Sequence, residues 1–366
     1  MKPRSSGPEG GYAESRDTLA RVGGLRAALQ AHDAWAEVAL EVLADKGLAH
    51  HHVRLVGTGL LARIPKQSQI GLVPDANLRH QQKCFERAQP SGHTPFCAGV
   101  LPVGPALPRG ALIVQEIDGP PAVLPRDLDA MAQALASLHA LGMPAAPARP
   151  PLQDASDPLQ HLHAEISAQA RFMPQAALPD QVRAAIDSEM QALAASVALP
   201  DRPPRSLIAF DAHPGNFLMR GIGDAVLVDL EKCRYSYPGL DLAHATLYTS
   251  TTWDVSTRAV LTPDEVAGFY RCWNAALDPG HASAARPWHL PLRRAMWLWS
   301  ITWCCKWRAL SSLAPGTAGQ GEDWSAANSD ASLAEHVRDR VDHYLSPEGV
   351  AFTLHEFAQL PRILAQ

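Results

Sequence analysis

The chain has 366 residues, of which 46% are hydrophobic and 19% are charged, a composition typical of a globular protein rather than a disordered one. Its formal net charge of −5 argues against a protein whose main role is to coat nucleic acid, so we expect no nucleic-acid partner. No stretch approaches the ~18 apolar residues that a membrane-spanning helix needs. We therefore expect no membrane partner and a soluble, cytoplasmic protein.

The N-terminal part of the sequence predicts a tail followed by helical structure. Residues 1–16 are rich in Gly, Ser, Pro and charge and lack the apolar segment of a signal peptide, which predicts a disordered tail. From residue 17 to residue 48, apolar residues including Trp35, Val38 and Val42 recur at three- and four-residue steps, as in a helix. The six cysteines form no Cys-x-x-Cys pair, which favours free thiols in a reducing compartment.

The next segment has a β texture and predicts a small lobe. Residues 52–64 predict a strand, a glycine turn and a second strand, because two short β-prone runs flank Gly57 and Gly59. A helix over 75–88 and strands over 99–103 and 111–117 complete this part. The breaker cluster Asp-Gly-Pro-Pro that begins at residue 118 separates a predicted N-lobe, 17–117, from a C-lobe, 118–366.

The C-lobe pattern is mainly helical, with one β patch. The helices are expected at 127–141, 158–173 and 180–198, and beyond residue 240 the chain is expected to be helix and loop. The β patch comprises the runs 207–210, 217–219 and 225–230. The fold class is therefore α+β with two lobes, and function is expected in the cleft between them.

Three polar residues of the β patch are spaced for phosphate chemistry. Asp211 follows one apolar run, Asn216 comes five residues later, and Asp229 ends the next strand. Carboxylate and amide oxygens at these strand ends can converge, and Mg²⁺ is usually held by one or two carboxylates together with substrate phosphates. Asp211 is then left to accept a proton from an attacking hydroxyl.

The run Ala209-Phe210-Asp211-Ala212-His213-Pro214-Gly215-Asn216, followed by Val228-Asp229-Leu230-Glu231, resembles the aminoglycoside phosphotransferase and choline kinase family. That family has a run like H-G-D-x-H-x-x-N and a protein-kinase-like fold with a small β-containing N-lobe and a larger helical C-lobe. The later Pro-Gly-Leu-Asp-Leu-Ala around Asp241 and the Leu-Ala-Ser-Leu-His that ends at His139 are similar to further family motifs.

The resemblance implies roles for individual residues. Asp211 would be the catalytic base, Asn216 and Asp229 would hold Mg²⁺, and His213 and Asp241 would support the catalytic loop. The nucleotide would be ATP, held at its phosphates by Arg63 or, as second choice, Lys66. Backbone groups near Gln115 and Ile117 would meet the adenine.

Two departures from the family pattern leave an alternative open. Ala209 replaces the first His of the motif, and the helix over 75–88 offers only Glu86 as a partner for the phosphate-binding cation. The sequence therefore predicts an ATP- and Mg²⁺-dependent phosphotransferase acting on a small-molecule hydroxyl, with a pseudokinase-like nucleotide-binding module as the alternative. The acceptor could be an amino alcohol, a sugar or an aminoglycoside-like molecule, and the choice of ATP over GTP and the oligomeric state stay open.

The tryptophan-rich C-terminal region allows two interpretations. Trp299, Trp303 and Trp307 share one helix face, which suits either core packing or an aromatic surface for an organic cation. The basic residues of the same segment could serve an anionic substrate or face solvent; they are Arg293, Arg294, Lys306 and Arg308.

Overall fold

The computed structural model describes residues 16–44, 49–313 and 331–364. The predicted tail lies outside these residues except for Arg16, where the first helix, α1 (Arg16–Leu29), begins. In the described part of the chain no helix is long and apolar enough to cross a membrane. All six cysteines are free thiols, as predicted.

The first half of the chain forms an antiparallel five-stranded sheet with strand order β1-β2-β3-β5-β4. Its strands are β1 (Leu40–Val42), β2 (His50–Leu55), β3 (Leu60–Pro65), β4 (Cys97–Leu101) and β5 (Ala111–Gln115). β2 and β3 form the predicted hairpin, in which Gly57 and Gly59 have φ values of 79° and 68° that suit glycine. The predicted strands are therefore present.

The prediction of helix over residues 17–48 is wrong between residues 30 and 44, and its last four residues, 45–48, lie outside the described part of the chain. There the chain turns and forms β1, an edge strand that pairs with β2 through Leu40 opposite Leu55 and Val42 opposite Val53. Trp35 packs so closely on Gly99 that a Cβ on this glycine would lie 2.5 Å from the indole. These long-range contacts override the helical spacing of the apolar residues.

Helix α2 (Pro74–Ala88) covers the sheet and confirms the helix predicted at 75–88. Pro74 lies at its start, where a missing N–H leaves no hydrogen bond unmade. Its buried face includes Leu78, Cys84 and Phe85, which belong to a core that also contains residues of β5. The same helix buries the polar side chains of His80 and Gln81, which point to the site described below.

The second half of the chain is mainly helical. The helices are α3 (Leu128–His139), α4 (Pro158–Ala170), α5 (Asp180–Val197), α6 (Pro238–Thr246), α7 (Tyr248–Thr251), α8 (Pro263–Ala276), α9 (Pro279–Ala285), α10 (His289–Leu310), α11 (Ala331–Tyr344), α12 (Pro347–Gln359) and α13 (Pro361–Leu364). Side chains cap the starts of some helices: Asp157 accepts from two N–H groups of α4, and Thr262 forms a capping box with Glu265 at α8.

Four short strands carry the predicted β patch. They are β6 (Ser206–Ile208), β7 (Phe217–Gly221), β8 (Asp224–Leu227) and β9 (Arg234–Ser236). β7 pairs with β8, whereas β6 pairs with β9, a three-residue strand that the sequence pattern does not predict. The two ladders leave the loops between them on one side, where the polar motif residues lie.

Helix α10 lies in the core of the helical half, and its tryptophans pack in or against that core. Trp307 is buried, and Trp299 and Trp303 are partly buried against the same core, so the stripe mainly packs the helix. Arg293 is buried on Glu356, Arg294 pairs with Glu189 and Arg308 pairs with Asp342. These three arginines hold helices together, which argues against their serving an anionic substrate.

Candidate active site

The three motif residues come together because the short strands end at one place. Asp211 follows β6, Asn216 lies directly before β7, and Asp229 comes two residues after β8. Phe217 stands opposite Leu227 in the ladder, and the N–H of Val228 donates to the carbonyl of Asn216 over 2.9 Å. The side-chain amide of Asn216 donates to the carbonyl of Asp211 over 2.8 Å and so ties the two motif residues together.

Asp241 fixes the chain just before Asp211. Its fully buried carboxylate accepts from the N–H groups of Ala209 and Phe210, each over 2.7 Å. His139 lies 3.1 Å from the same carboxylate and 2.9 Å from the indole nitrogen of Trp273. Because an indole N–H can only donate, His139 Nδ1 accepts and Nε2 carries the proton that is donated to Asp241.

Phe210, whose N–H donates to Asp241, adopts a left-handed backbone conformation. Its φ is 61°, a value that favours glycine, and the family motif has Gly at this position. The phenyl ring is buried, lies 5.0 Å from the ring of Trp299 and has the guanidinium of Arg234 3.7 Å from its centre. Burial of the ring and its packing on Trp299 and Arg234 therefore offset the strain of the backbone.

The carboxylate of Asp211 is surrounded by basic groups. Lys232 Nζ donates to Asp211 Oδ2 over 2.8 Å, and His244 Nδ1 lies 3.8 Å from Oδ1. Burial disfavours the charged carboxylate, but the ammonium of Lys232 and the imidazoles of His213 and His244 outweigh burial and lower the pKa of Asp211. Asp211 is therefore ionised at neutral pH, with one oxygen paired and the other facing an imidazole.

Two imidazoles border the open side of Asp211. The rings of His213 and His244 meet edge to face with centres 5.9 Å apart, and Nδ1 of each is buried without a hydrogen-bond partner in the described structure. Burial lowers the pKa of His244 to about 4, so this ring is neutral at pH 7. Gly215 lets Asp254 approach the loop, since a Cβ here would lie 2.9 Å from the Asp254 side chain.

Arg63 of β3 reaches Asp229 directly. Its Nη2 donates to Asp229 Oδ1 over 2.8 Å, and its Nη1 donates to the carbonyl of Val228 over 3.0 Å. Burial opposes ionisation of Asp229, but the charge of Arg63 outweighs it and holds the pKa of this carboxyl far below its usual range. Glu86, the helix partner considered from the sequence, instead pairs with Lys83 on the surface of α2.

Helix α2 contacts the site through an amide and an imidazole instead of a carboxylate. Gln81 lies 3.0 Å from His50 Nε2 and donates to Glu231 over 3.4 Å, while His80 Nε2 lies 3.0 Å from the carbonyl of Glu231. Burial, followed by the charge of Asp229, raises the pKa of Glu231 to about 8. One oxygen of Glu231 is buried and has no hydrogen-bond partner among the residues that the structure describes.

His50 brings a third potential metal ligand close to Asp229 and Glu231. Ligand atoms of these three residues lie within 4.8 Å of one another. However, His50 Nδ1 faces Arg63 Nη2 at 3.3 Å and Nε2 faces Gln81 at 3.0 Å, so both ring nitrogens have protein partners. Burial and the charge of Arg63 lower the pKa of His50 well below its usual value. The neutral ring lies between the backbone of β2 and the carboxylates of Asp229 and Glu231.

The remaining nucleotide-site candidates lie along the sheet. Lys66 comes directly after β3 and donates its backbone N–H to Ala49. The N–H of Gln115 is used by the carbonyl of Phe96, and the next N–H, at Glu116, is used by Gly59. Within the described residues the backbone of Ile117 makes no hydrogen bond, so of the two predicted contacts Ile117 is the one whose N–H is unused.

Sequence reasoning gave no role in this site to Glu231, Lys232, His50 or Gln81. Glu231 and Lys232 come two and three residues after Asp229, and charges just after a motif carboxylate were the available signal for them. His50 and Gln81 gave no signal, because their place in the site depends on how β2 and α2 pack on the loop after β8.

A family comparison matches residues 93–286, more than half of the chain, with the model described as the phosphotransferase enzyme family. The chain belongs to the phosphotransferase enzyme family. The predicted family and the predicted enzyme class, a small-molecule kinase, are thereby confirmed. The matched residues include the whole catalytic loop and Asp229.

Solved structures confirm the predicted kinase-like fold. A choline/ethanolamine kinase family protein from Mesorhizobium loti is 19% identical, with a TM-score of 0.57 over 92% of this chain and 99% of that one. An ethanolamine kinase from Plasmodium vivax is 13% identical, with a TM-score of 0.59 over 94% and 91%. A spectinomycin phosphotransferase, in complex with ADP and spectinomycin, is 12% identical, with a TM-score of 0.56 over 92% and 98%. No curated protein matches the sequence.

Proposed function

We propose that this phosphotransferase transfers the γ-phosphoryl group of ATP to a hydroxyl group of a small molecule, with Asp211 as the catalytic base. The observation that carries the proposal is the convergence of Asp211, Asn216 and Asp229 at the ends of β6, β7 and β8. A predicted division into an N-lobe, 17–117, and a C-lobe, 118–366, would place this site in the cleft between the lobes. A cytoplasmic location stays a prediction.

The donor set of the site fits Mg²⁺. Asp229 gives one oxygen to Arg63 and keeps the other, and Asn216 uses its amide nitrogen on the Asp211 carbonyl, which leaves its side-chain oxygen open. These are hard oxygen ligands, the kind that Mg²⁺ takes together with phosphate oxygens. When bound, the ion would neutralise charge on the β- and γ-phosphates.

The residues of this chain then divide the work. Arg63 holds Asp229 in place, and Asp241 holds the backbone before Asp211, so that the base and the phosphate site keep a constant separation. Asp211 Oδ2 is occupied by Lys232, which leaves Oδ1 as the oxygen that accepts the proton of the acceptor hydroxyl. Since phosphoryl transfer depends mainly on positioning and charge, this small set of residues is sufficient.

The nucleotide is proposed to be ATP, and the acceptor class is kept broad. A spectinomycin phosphotransferase of similar fold is in complex with ADP and aminoglycoside 2′-phosphotransferases of similar fold are in complex with GDP, which supports a purine nucleotide here, and the choice of ATP rests on the sequence resemblance. The acceptor would approach Asp211 from the side bordered by His213 and His244. A hydroxyl group of an amino alcohol, of a sugar or of an aminoglycoside-like molecule can approach Asp211 in this way.

The proposal is tested by an ADP-release assay with Mg²⁺ and ATP against a panel of amino alcohols, sugars and aminoglycosides. We expect turnover with one acceptor class and none for Asp211→Asn, while the variant still gains thermal stability from Mg²⁺ and ATP. Asp224→Asn, an exposed acid at the start of β8, is the matched control and should leave turnover unchanged. A stabilising effect of the nucleotide without any turnover would favour the nucleotide-binding module instead.

A further inference from the structure

Lys232 has an environment that a merely structural lysine does not need. Its side chain is nearly buried, and its ammonium is held by Asp211 Oδ2 at 2.8 Å and by the face of Trp299, whose centre is 5.8 Å away. A cation over an indole face and against a carboxylate has a fixed position. The position lies beside the oxygen that would receive the proton of the acceptor.

The ammonium of Lys232 keeps donors for a further partner. A lysine has three N–H donors, and the described structure uses one of them, on Asp211. Arg63 uses Nη1 on the Val228 carbonyl and Nη2 on Asp229 and His50, which fixes it on the loop after β8. Lys232 has two N–H donors without a partner in the described structure, and they lie beside Asp211.

The neighbouring charges keep Lys232 protonated. Burial disfavours the ammonium, but Asp211, Glu231 and Asp229 outweigh burial and raise its pKa. Lys232 contacts Asp211 and comes three residues after Asp229, so its ammonium lies beside the proposed base on the same turn of chain as the proposed metal ligand. A phosphoryl group that passes from the nucleotide to the acceptor hydroxyl crosses this region.

We propose that Lys232 is a catalytic residue that binds the oxygens of the transferred phosphoryl group while it holds Asp211. This inference rests on the proposed function. A bond forms between the acceptor oxygen and the γ-phosphorus, and the bond from that phosphorus to the β–γ bridging oxygen breaks, leaving its electron pair on ADP. The hydroxyl proton goes to Asp211 Oδ1. Lys232 keeps its own protons and supplies fixed positive charge.

The test needs no identified acceptor. ADP with aluminium fluoride and Mg²⁺ mimics the transferred phosphoryl group, with water in place of the acceptor, and ADP with Mg²⁺ alone does not. We would measure the Kd of both by calorimetry for the wild type, Lys232→Met and Lys83→Met, the last being an exposed control on α2. The ratio of the two Kd values reports contacts made only to the phosphoryl mimic.

We expect Lys232→Met to leave the Kd of ADP unchanged and to weaken binding of the fluoride complex by about 100-fold, the scale of losing one preorganised donor. Lys83→Met should match the wild type. If Lys232→Met does not fold, Lys232→Arg and Lys232→Gln replace it. Lys232→Arg keeps the charge and should keep most of the difference between the two Kd values, whereas Lys232→Gln should lose that difference.

Failure of this inference and failure of the proposed function give different results. A wild-type protein that binds ADP no more tightly with aluminium fluoride would overturn phosphoryl transfer and the role of Lys232 together. A wild type that gains affinity, with Lys232→Met and Lys232→Gln gaining as much, would overturn the role of Lys232 alone. Equal weakening of both complexes in the variants would also overturn it, because a structural role affects them alike.

Discussion

The backbone at Phe210 should reverse the usual stability order of alanine and glycine variants. Phe210 has a φ of 61°, whereas Phe217, also buried, has a φ of −106° at the start of β7. Removing either phenyl group should cost about 3–5 kcal/mol, the range for a large aromatic side chain in a core. The two positions then differ in what the remaining backbone tolerates.

The magnitude follows from two opposing effects. A left-handed conformation costs a residue with a Cβ about 1–2 kcal/mol, which glycine avoids. Glycine loses more backbone entropy on folding, which costs about 0.5–1 kcal/mol relative to alanine. Phe210→Gly should therefore be more stable than Phe210→Ala by roughly 0.5–1 kcal/mol, whereas Phe217→Ala should be more stable than Phe217→Gly by a similar amount.

The assay is urea unfolding of the four variants, followed by circular dichroism, with the slopes compared so that midpoints report stability. The order of the two variants at position 217 serves as the internal control. If alanine were more stable than glycine at both positions by the same margin, the strained conformation at Phe210, and with it the hold of Asp241 on the catalytic loop, would be refuted.

Three further predictions concern charge. Asp241→Asn should lose about 3 kcal/mol of stability in urea unfolding, because one amide oxygen cannot replace a buried carboxylate that accepts from two backbone N–H groups; an unchanged midpoint would count against the clamp. Arg63→Met should lower kcat/KM for ATP by about 100-fold through the loss of the hold on Asp229, and wild-type kinetics would contradict this. His244 has a pKa of about 4 in the folded state against about 6.5 unfolded, so the unfolded chain binds more protons between these values and stability falls, by up to about 3 kcal/mol, as the pH drops through them. His244→Gln should flatten the pH dependence of the unfolding free energy, as should His289→Gln, a control whose pKa is also about 4; an unchanged slope in both would contradict the burial argument.

The catalytic motif could be predicted because its residues are close in sequence and end neighbouring strands. Asp211, Asn216 and Asp229 lie within one β patch, so local pairing of β7 with β8 is enough to bring the last two together. Asp241 could also be predicted from the sequence, because the Pro-Gly-Leu-Asp run comes shortly after the β patch. These residues are close in space because they are close in sequence.

Other features depend on contacts between distant segments and have no local signature. β1 forms because an edge strand can pair with β2, although its residues have helical spacing. Gln81 of α2 reaches Glu231, which lies 150 positions further along the chain. Lys232 could be seen as a charge next to the motif, but its contact with Asp211 requires the turn after Asp229 to fold back on the catalytic loop.

The measurement that tests the account most directly is mass spectrometry of acceptors incubated with the enzyme, ATP and Mg²⁺, with the wild type and Asp211→Asn compared side by side. The account predicts that one class of hydroxyl compound gains a phosphoryl group with the wild type and that none does with Asp211→Asn. Product formed at the wild-type rate by Asp211→Asn, or no phosphorylated product from a wild type that binds ATP, would contradict it.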